Sequence, residues 1–147
     1  MDPGQGRLIM KTNRSRLQHN EELGKRAYMS VFALRALPSR IDNTRLPIGE
    51  ELATFIEKLV IDKIGMSSDG LFSAVWRFPA HEKGGVGFTH IQPIFESFIA
   101  WDTWSEHTGG YFVVFSCKEY EPQSVADVLL DYFEIVDRGF LTLCLRS

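Results

Sequence analysis

Between Phe88 and Cys117 the sequence reads FTHIQPIFESFIAWDTWSEHTGGYFVVFSC, and this run holds a nucleophile, acids and a thiol at short offsets. Glu96 directly precedes Ser97; Asp102 lies five residues past the serine, Glu106 nine past it and Cys117 twenty past it. No other part of the chain is so dense in such groups. A serine hydroxyl is a weak nucleophile that needs a base, or donors that stabilise an oxyanion. Set directly after a glutamate in a tight, partly buried hairpin, it can attack the carbonyl in front of it if the backbone is strained. A thiol with the ordinary pKa of about 8.5 is largely protonated near neutrality and able to donate a proton. A glutamate past the turn is suited to sugar hydroxyls, as acidic residues are in dinucleotide sites.

The elements that must position these groups are legible from patterning. Residues 1–25 are polar with little periodicity and read as a flexible leader, leaving 26–147 as one domain. Ala27 to Leu37 reads as a strand, and Pro38 to Pro47 as a loop with turn chemistry at both ends. From Ile48 to Ile64 apolar residues recur at three- and four-residue steps, with Glu50, Glu51, Glu57, Lys58 and Asp62 between them. That spacing predicts an amphipathic helix capped at Gly65. Leu71 to Phe78 reads as a strand, and 79–87 as a glycine-containing loop. The central run then predicts a hairpin of Thr89 to Trp101 and Tyr111 to Cys117, in which Pro93 favours an edge position or a bulge. Ser124 and Asp127 resemble a capping pair for a second helix through Val136, ended by Gly139. Phe140 to Leu145 closes the order as a strand. Helices on one face of a mostly antiparallel sheet make an α+β two-layer sandwich.

Composition narrows the function classes. The chain has 147 residues, 44% hydrophobic and 12% aromatic, enough for a core without staples. Two cysteines, Cys117 and Cys144, are too few for a disulfide framework or a structural zinc site, so no metal is expected. A net charge of -3 argues against nucleic-acid binding. The apolar runs fall short of the ~18 residues of a membrane span, and the first residues lack a secretory apolar stretch, so a cytoplasmic protein without membrane attachment is expected. Neither G-x-x-x-x-G-K-[ST] nor G-x-G-x-x-G is present, which disfavours the common nucleotide folds.

The run resembles the pyruvoyl-dependent S-adenosylmethionine decarboxylases of bacteria and archaea. In that family G-V-S-G leads through a short strand to Glu-Ser, then H-T-W-P-E forms a turn and F-[ST]-C ends the next strand. Here Gly87-Phe88-Thr89-His90 leads to Glu96-Ser97, Asp102-Thr103-Trp104-Ser105-Glu106 occupies the turn, and Phe115-Ser116-Cys117 ends the strand, without a gap. The likeness extends over about Ala27 to Val136. It implies autocatalytic cleavage between Glu96 and Ser97, leaving a pyruvoyl group derived from Ser97. That cofactor would hold the substrate as a Schiff base and act as electron sink for decarboxylation. By the same match Cys117 would return a proton to the substrate carbon, Glu106 would hold the ribose hydroxyls and Phe78 would stack on adenine. The product would serve spermidine synthesis, and the family habit is a homodimer.

The departures bear on processing. Asp102 stands in place of the family's processing histidine, and Thr89 in place of a serine that assists the same step. Threonine keeps the hydroxyl, whereas a carboxylate is a weaker base than an imidazole unless burial strengthens it, here between Trp101 and Trp104. His90, where the family has glycine, and His107 are the candidate substitutes. Two other readings follow: a decarboxylase shifted to arginine or ornithine, and an unprocessed relative acting as a partner subunit or nucleoside binder.

Overall fold

The computed structural model describes residues 25–46, 49–78, 87–103 and 109–145. In chain order they form β1 (Lys25–Ala36), a short helix α1 (Pro38–Ile41), a 3-10 turn (Asp42–Thr44), α2 (Glu50–Lys63), β2 (Ala74–Phe78), β3 (Gly87–Ile94), β4 (Ser97–Thr103), β5 (Gly109–Ser116), α3 (Pro122–Leu129) and β6 (Phe133–Leu145). The strands make one sheet in the order β2-β3-β4-β5-β1-β6, with every pairing antiparallel. Because strand side chains alternate between faces, Phe32 and Leu34 of β1, Ile99 and Trp101 of β4, and Phe112 and Val114 of β5 all turn to one side. There they bury with Leu52, Ile56 and Val60 of α2 and Val125 and Leu129 of α3. The expected α+β two-layer sandwich is the architecture found.

The alternate positions form the opposite face, on which the described residues carry no helix. Its rows follow from register: Pro93, Phe98, Phe115, Met29 and Leu141 in one, and Ile91, Ala100, Val113 and Val31 in the next. This face is apolar, and the Phe98 and Phe115 rings stack on it with centroids 5.4 Å apart.

Helix α2 ends as the sequence predicts. Gly65 adopts φ 72°, and the N–H groups of Gly65 and Met66 return to the carbonyls of Asp62 and Ile61, a Schellman closure that needs a left-handed residue. Gly110 is required for another reason. A Cβ there would strike the backbone of Asp102 and Thr103, since β5 crosses close to β4.

Five expectations need correction. The stretch from Pro38, read as a loop, opens with α1 and the 3-10 turn. The stretch Thr89 to Trp101 is two strands, because the chain turns at Phe95 and Glu96 and pairs Ile94 with Ser97. β3 is not an edge strand; Pro93 is tolerated because β2 reaches only to Ile91, leaving the proline's missing N–H opposite no partner strand. The second helix stops at Leu129. Phe133 to Val136 belong to β6, whose pairing with β1 along its whole length outweighs the local helical spacing. Its N-cap is Glu121, whose carboxylate accepts the Gln123 N–H at 3.3 Å, in place of Ser124 with Asp127. The expected leader falls almost wholly outside the described residues.

Candidate active site

Ser97 opens β4, half-buried, with Ile94 of β3 on one side and Ser116 of β5 on the other. The turn in front of it is held by two backbone hydrogen bonds. The Phe95 N–H donates to the Ser67 carbonyl at 3.0 Å, tying the turn to the segment after α2. The Cys117 N–H donates to the Glu96 carbonyl at 3.0 Å. Ser116 in turn bends the chain at Cys117: its hydroxyl donates to the Lys118 carbonyl at 2.7 Å and accepts the Lys118 N–H at 2.9 Å. Lys118 Nζ donates to the Gly65 carbonyl at 3.2 Å, so the C-terminal end of α2 buttresses both sides of the site.

The Cys117 side chain is exposed. One carboxylate oxygen of Glu96, Oε1, is buried without a hydrogen-bond partner. Such an oxygen is costly to leave unpaired, and it lies on the residue whose carbonyl Cys117 holds. Glu96, Ser97 and Cys117 therefore meet in one place.

Thr89 and Asp102 meet in another. They are cross-strand neighbours on β3 and β4, and the Thr89 hydroxyl donates to Asp102 Oδ1 at 2.7 Å. Asp102 is exposed, on the open face opposite the core position of Trp101. The burial expected for it is absent on the Trp101 side; Trp104 lies outside the described residues. Five residues of extended strand separate Asp102 from Ser97, about 16 Å, and five is an odd step, so the two side chains leave opposite faces. Within one chain this pair does not reach the serine.

His90 is 3% exposed and turns to the helix side. Its Nδ1 lies 2.8 Å from Oε1 of Glu57, itself 1% exposed on α2, and its Nε2 lies 3.3 Å from the Thr54 hydroxyl. The Nδ1–Oε1 contact is an ion pair by distance but is not aligned as a hydrogen bond, and Glu57 Oε2 has no partner. Burial raises the Glu57 carboxyl from 4.5 to about 7, with His90 offsetting part of that rise. Burial pulls His90 down, but Glu57 and, more weakly, Glu50 outweigh it, and the imidazole ends above its ordinary value. The sequence reading missed Glu57. Its signal was a carboxylate four residues after Ala53 and four before Ile61, both buried. Phe78 ends the edge strand β2 and is 46% exposed. Glu106 and His107 lie outside the described residues. Among the described residues no three His, Cys, Asp or Glu side chains come together as a metal site, and no helix is long and apolar enough to cross a membrane.

The described residues form an antiparallel α+β sandwich with the Glu96–Ser97 peptide between β3 and β4. A family model described as S-adenosylmethionine decarboxylase matches residues 40–139. The chain belongs to that family. Among solved structures it is similar to the adenosylmethionine decarboxylase from Aquifex aeolicus VF5, at 14% identity and a TM-score of 0.49, covering 84% of this chain and 92% of that one. No curated protein sequence matches the chain.

Proposed function

We propose that this protein is a pyruvoyl-dependent S-adenosylmethionine decarboxylase that cleaves itself between Glu96 and Ser97 and supplies the aminopropyl donor for spermidine synthesis. The observation that carries the reading is the 3.0 Å hydrogen bond from the Cys117 N–H to the Glu96 carbonyl, beside the hydroxyl that would attack that carbonyl. Attack by Ser97 Oγ moves negative charge onto the Glu96 oxygen, where a preset N–H donor is worth most. The Glu96–Ser97 C–N bond then breaks, the hydroxyl proton passes to the nitrogen, and an ester replaces the amide. Loss of the Ser97 α-proton expels the Glu96 carboxylate. Tautomerisation and hydrolysis release ammonia and leave a ketone at the new N-terminus. The residues present suit such a group: a serine at a strand end, a carbonyl already polarised, and a thiol adjacent. When formed, it supplies an electron sink for loss of the substrate carboxylate. Cys117, exposed beside it, is the proton donor to the product carbon.

The α-proton needs a base, and Thr89 with Asp102 is too far away in the same chain. The open apolar face supports a homodimer packed sheet to sheet, in which a second copy brings its own Thr89–Asp102 pair toward the Ser97 end. Burial against that copy would also strengthen the carboxylate as a base. The separation within one chain favours one other reading, an unprocessed relative that binds a nucleoside without turnover. The mass spectrum of purified, incubated protein decides between them. Pieces of 96 and 51 residues, the shorter reactive to hydrazine, are expected, and Ser97→Ala should leave the chain whole. An intact 147-residue wild-type chain refutes self-cleavage. Co-folding Ser97→Ala with Asp102→Asn tests the second copy: cleavage of the Asp102→Asn chain should recover in the mixture, and no recovery refutes action in trans.

A further inference from the structure

The sheet has two edges of different kinds. β2 is short and carries Arg77, the form in which an edge strand resists further pairing. β6 spans Phe133–Leu145, and only its first half is protected in that way. Glu134, Asp137 and Arg138 lie there, and the pairing with β1 slips at Val136. From Gly139 to Leu145 the strand has no charge, no proline and no bulge. Every residue of this stretch is exposed, and Phe140, Leu141, Leu143 and Leu145 each leave about half of their surface or more to solvent. β5 pairs with β1 only from Tyr28 onward, so Lys25–Ala27 and Leu143–Leu145 run past it as a two-stranded ribbon. Among the described residues no strand lies beyond β6.

We propose that the outer edge of β6 pairs antiparallel with the same edge of a second copy, about a two-fold axis at Leu141, joining the two sheets into one.

This contact is separate from the sheet-to-sheet packing proposed above, because an axis perpendicular to the sheet leaves both open faces free. It is also remote from the Glu96–Ser97 peptide, with β5 and β1 between β4 and β6.

The chemistry of the edge asks for a strand. Two strands alone are marginal in water, and a row of N–H and C=O groups along an apolar edge is a template for another chain. The same edge of a second copy is complementary to itself about a two-fold axis. An axis at Leu141, the middle of Asp137–Leu145, pairs the whole run beyond the slip. Leu141 then meets its own image, Phe140 faces Thr142, Gly139 faces Leu143, Arg138 faces Cys144 and Asp137 faces Leu145. No like charges are opposed, whereas an axis at Asp137 or Arg138 would set that charge against itself. Gly139 has open space where a Cβ would stand, and Leu143 of the second copy fills it. On the open face the row of Phe98, Phe115, Met29 and Leu141 continues into Leu141 of the second copy, so its end is covered.

Sedimentation of the full-length Ser97→Ala/Ala100→Lys chain tests this. The first change removes cleavage, and the second puts a charge on the open face, far from β6, to block sheet-to-sheet packing. A dimer half-dissociated at about 10 µM is expected for so small a contact. Adding Phe140→Lys and Thr142→Lys, both on the helix side of β6, should weaken it at least about a hundred-fold without lowering the melting temperature. A chain still monomeric at about 200 µM, or a dimer indifferent to the two lysines, would overturn the proposal. Amides of residues 139–145 that exchange equally slowly at about 1 µM and about 100 µM would overturn it too, because the edge would then be covered within one chain. The axis has its own test in a Ser97→Ala/Cys117→Ser/Cys144→Ser chain. There Leu141→Cys should form a disulfide-linked pair on oxidation and Arg138→Cys should not; equal linking at both positions, or none at either, refutes an axis at Leu141.

Discussion

Replacing Glu57 by glutamine should make the protein more stable at pH 8 and leave it little changed at pH 5. The carboxyl is 1% exposed, and burial holds it at about 7 against an ordinary 4.5. A folded-state value above the unfolded one means the folded protein binds more protons, so stability falls as pH rises across the interval from about 4.5 to about 7. The rise from 4.5 to about 7 corresponds to about 3 kcal/mol lost by pH 8. His90 moves the same way. Its raised value gives stability that is complete below 6.5 and lost as pH passes through the folded value, so the two slopes add in sign. Glutamine keeps the shape and removes the ionisation, but leaves the imidazole a poorer partner, which returns about 1 kcal/mol of the gain. A net gain of about 1–2 kcal/mol at pH 8 is therefore expected, from urea unfolding of the uncleaved Ser97→Ala background at pH 5 and pH 8. Loss of 2 kcal/mol or more at pH 8 would refute the reasoning, because the pair would then be acting as a stabilising ion pair and not as a buried cost.

Gly110→Ala should cost about 2–3 kcal/mol in the same assay, since its Cβ meets backbone atoms of Asp102 and Thr103 that no side-chain rotation can move; a cost below about 0.5 kcal/mol would mean that β5 shifts freely. Tyr120→Phe removes a 2.6 Å hydrogen bond to Ser30 inside the core and should cost about 1–2 kcal/mol, with Ser30→Ala in the double variant recovering part of it. Cys117→Ala keeps the backbone donor to Glu96 and should still cleave, while carbon dioxide release from S-adenosylmethionine falls about a hundred-fold or more; loss of cleavage would assign the thiol itself to processing.

The sequence was most readable where one pattern had no competitor. In α2 the apolar steps, the first-turn glutamates and Gly65 all agree, and the helix ends within a residue of the expected place. The Glu96–Ser97 junction was legible from its spacing to Cys117, and the fold does bring those residues together. The turn in front of Ser97 was not, because Phe95 and Glu96 carry none of the glycine, proline or asparagine that marks a reversal. Val125 to Val136 has helical spacing throughout, but from Phe133 the decisive term is pairing with β1, a partner about a hundred residues earlier that no local window contains. Glu57 escaped notice because charge suggests solvent, and only the three-dimensional contact with His90 exposes it as buried.

The position of Asp102 links the sequence departure to the proposed second copy. Its side chain shares a row of the open face with Trp76 and Thr89 on one side and Tyr111 and Ala33 on the other. An exposed carboxylate in water is a poor base for a carbon acid, whatever hydroxyl it accepts from. The same row lies beside the apolar row of Val31, Ala100, Val113 and Ile91. Covering that area buries Asp102 with it, and desolvation is the change that strengthens a carboxylate as a base. Assembly and processing would then be one event: the surface that the proposed second copy would cover carries the residue that burial would strengthen as a base. A monomer that cleaves at its full rate at high dilution would separate the two.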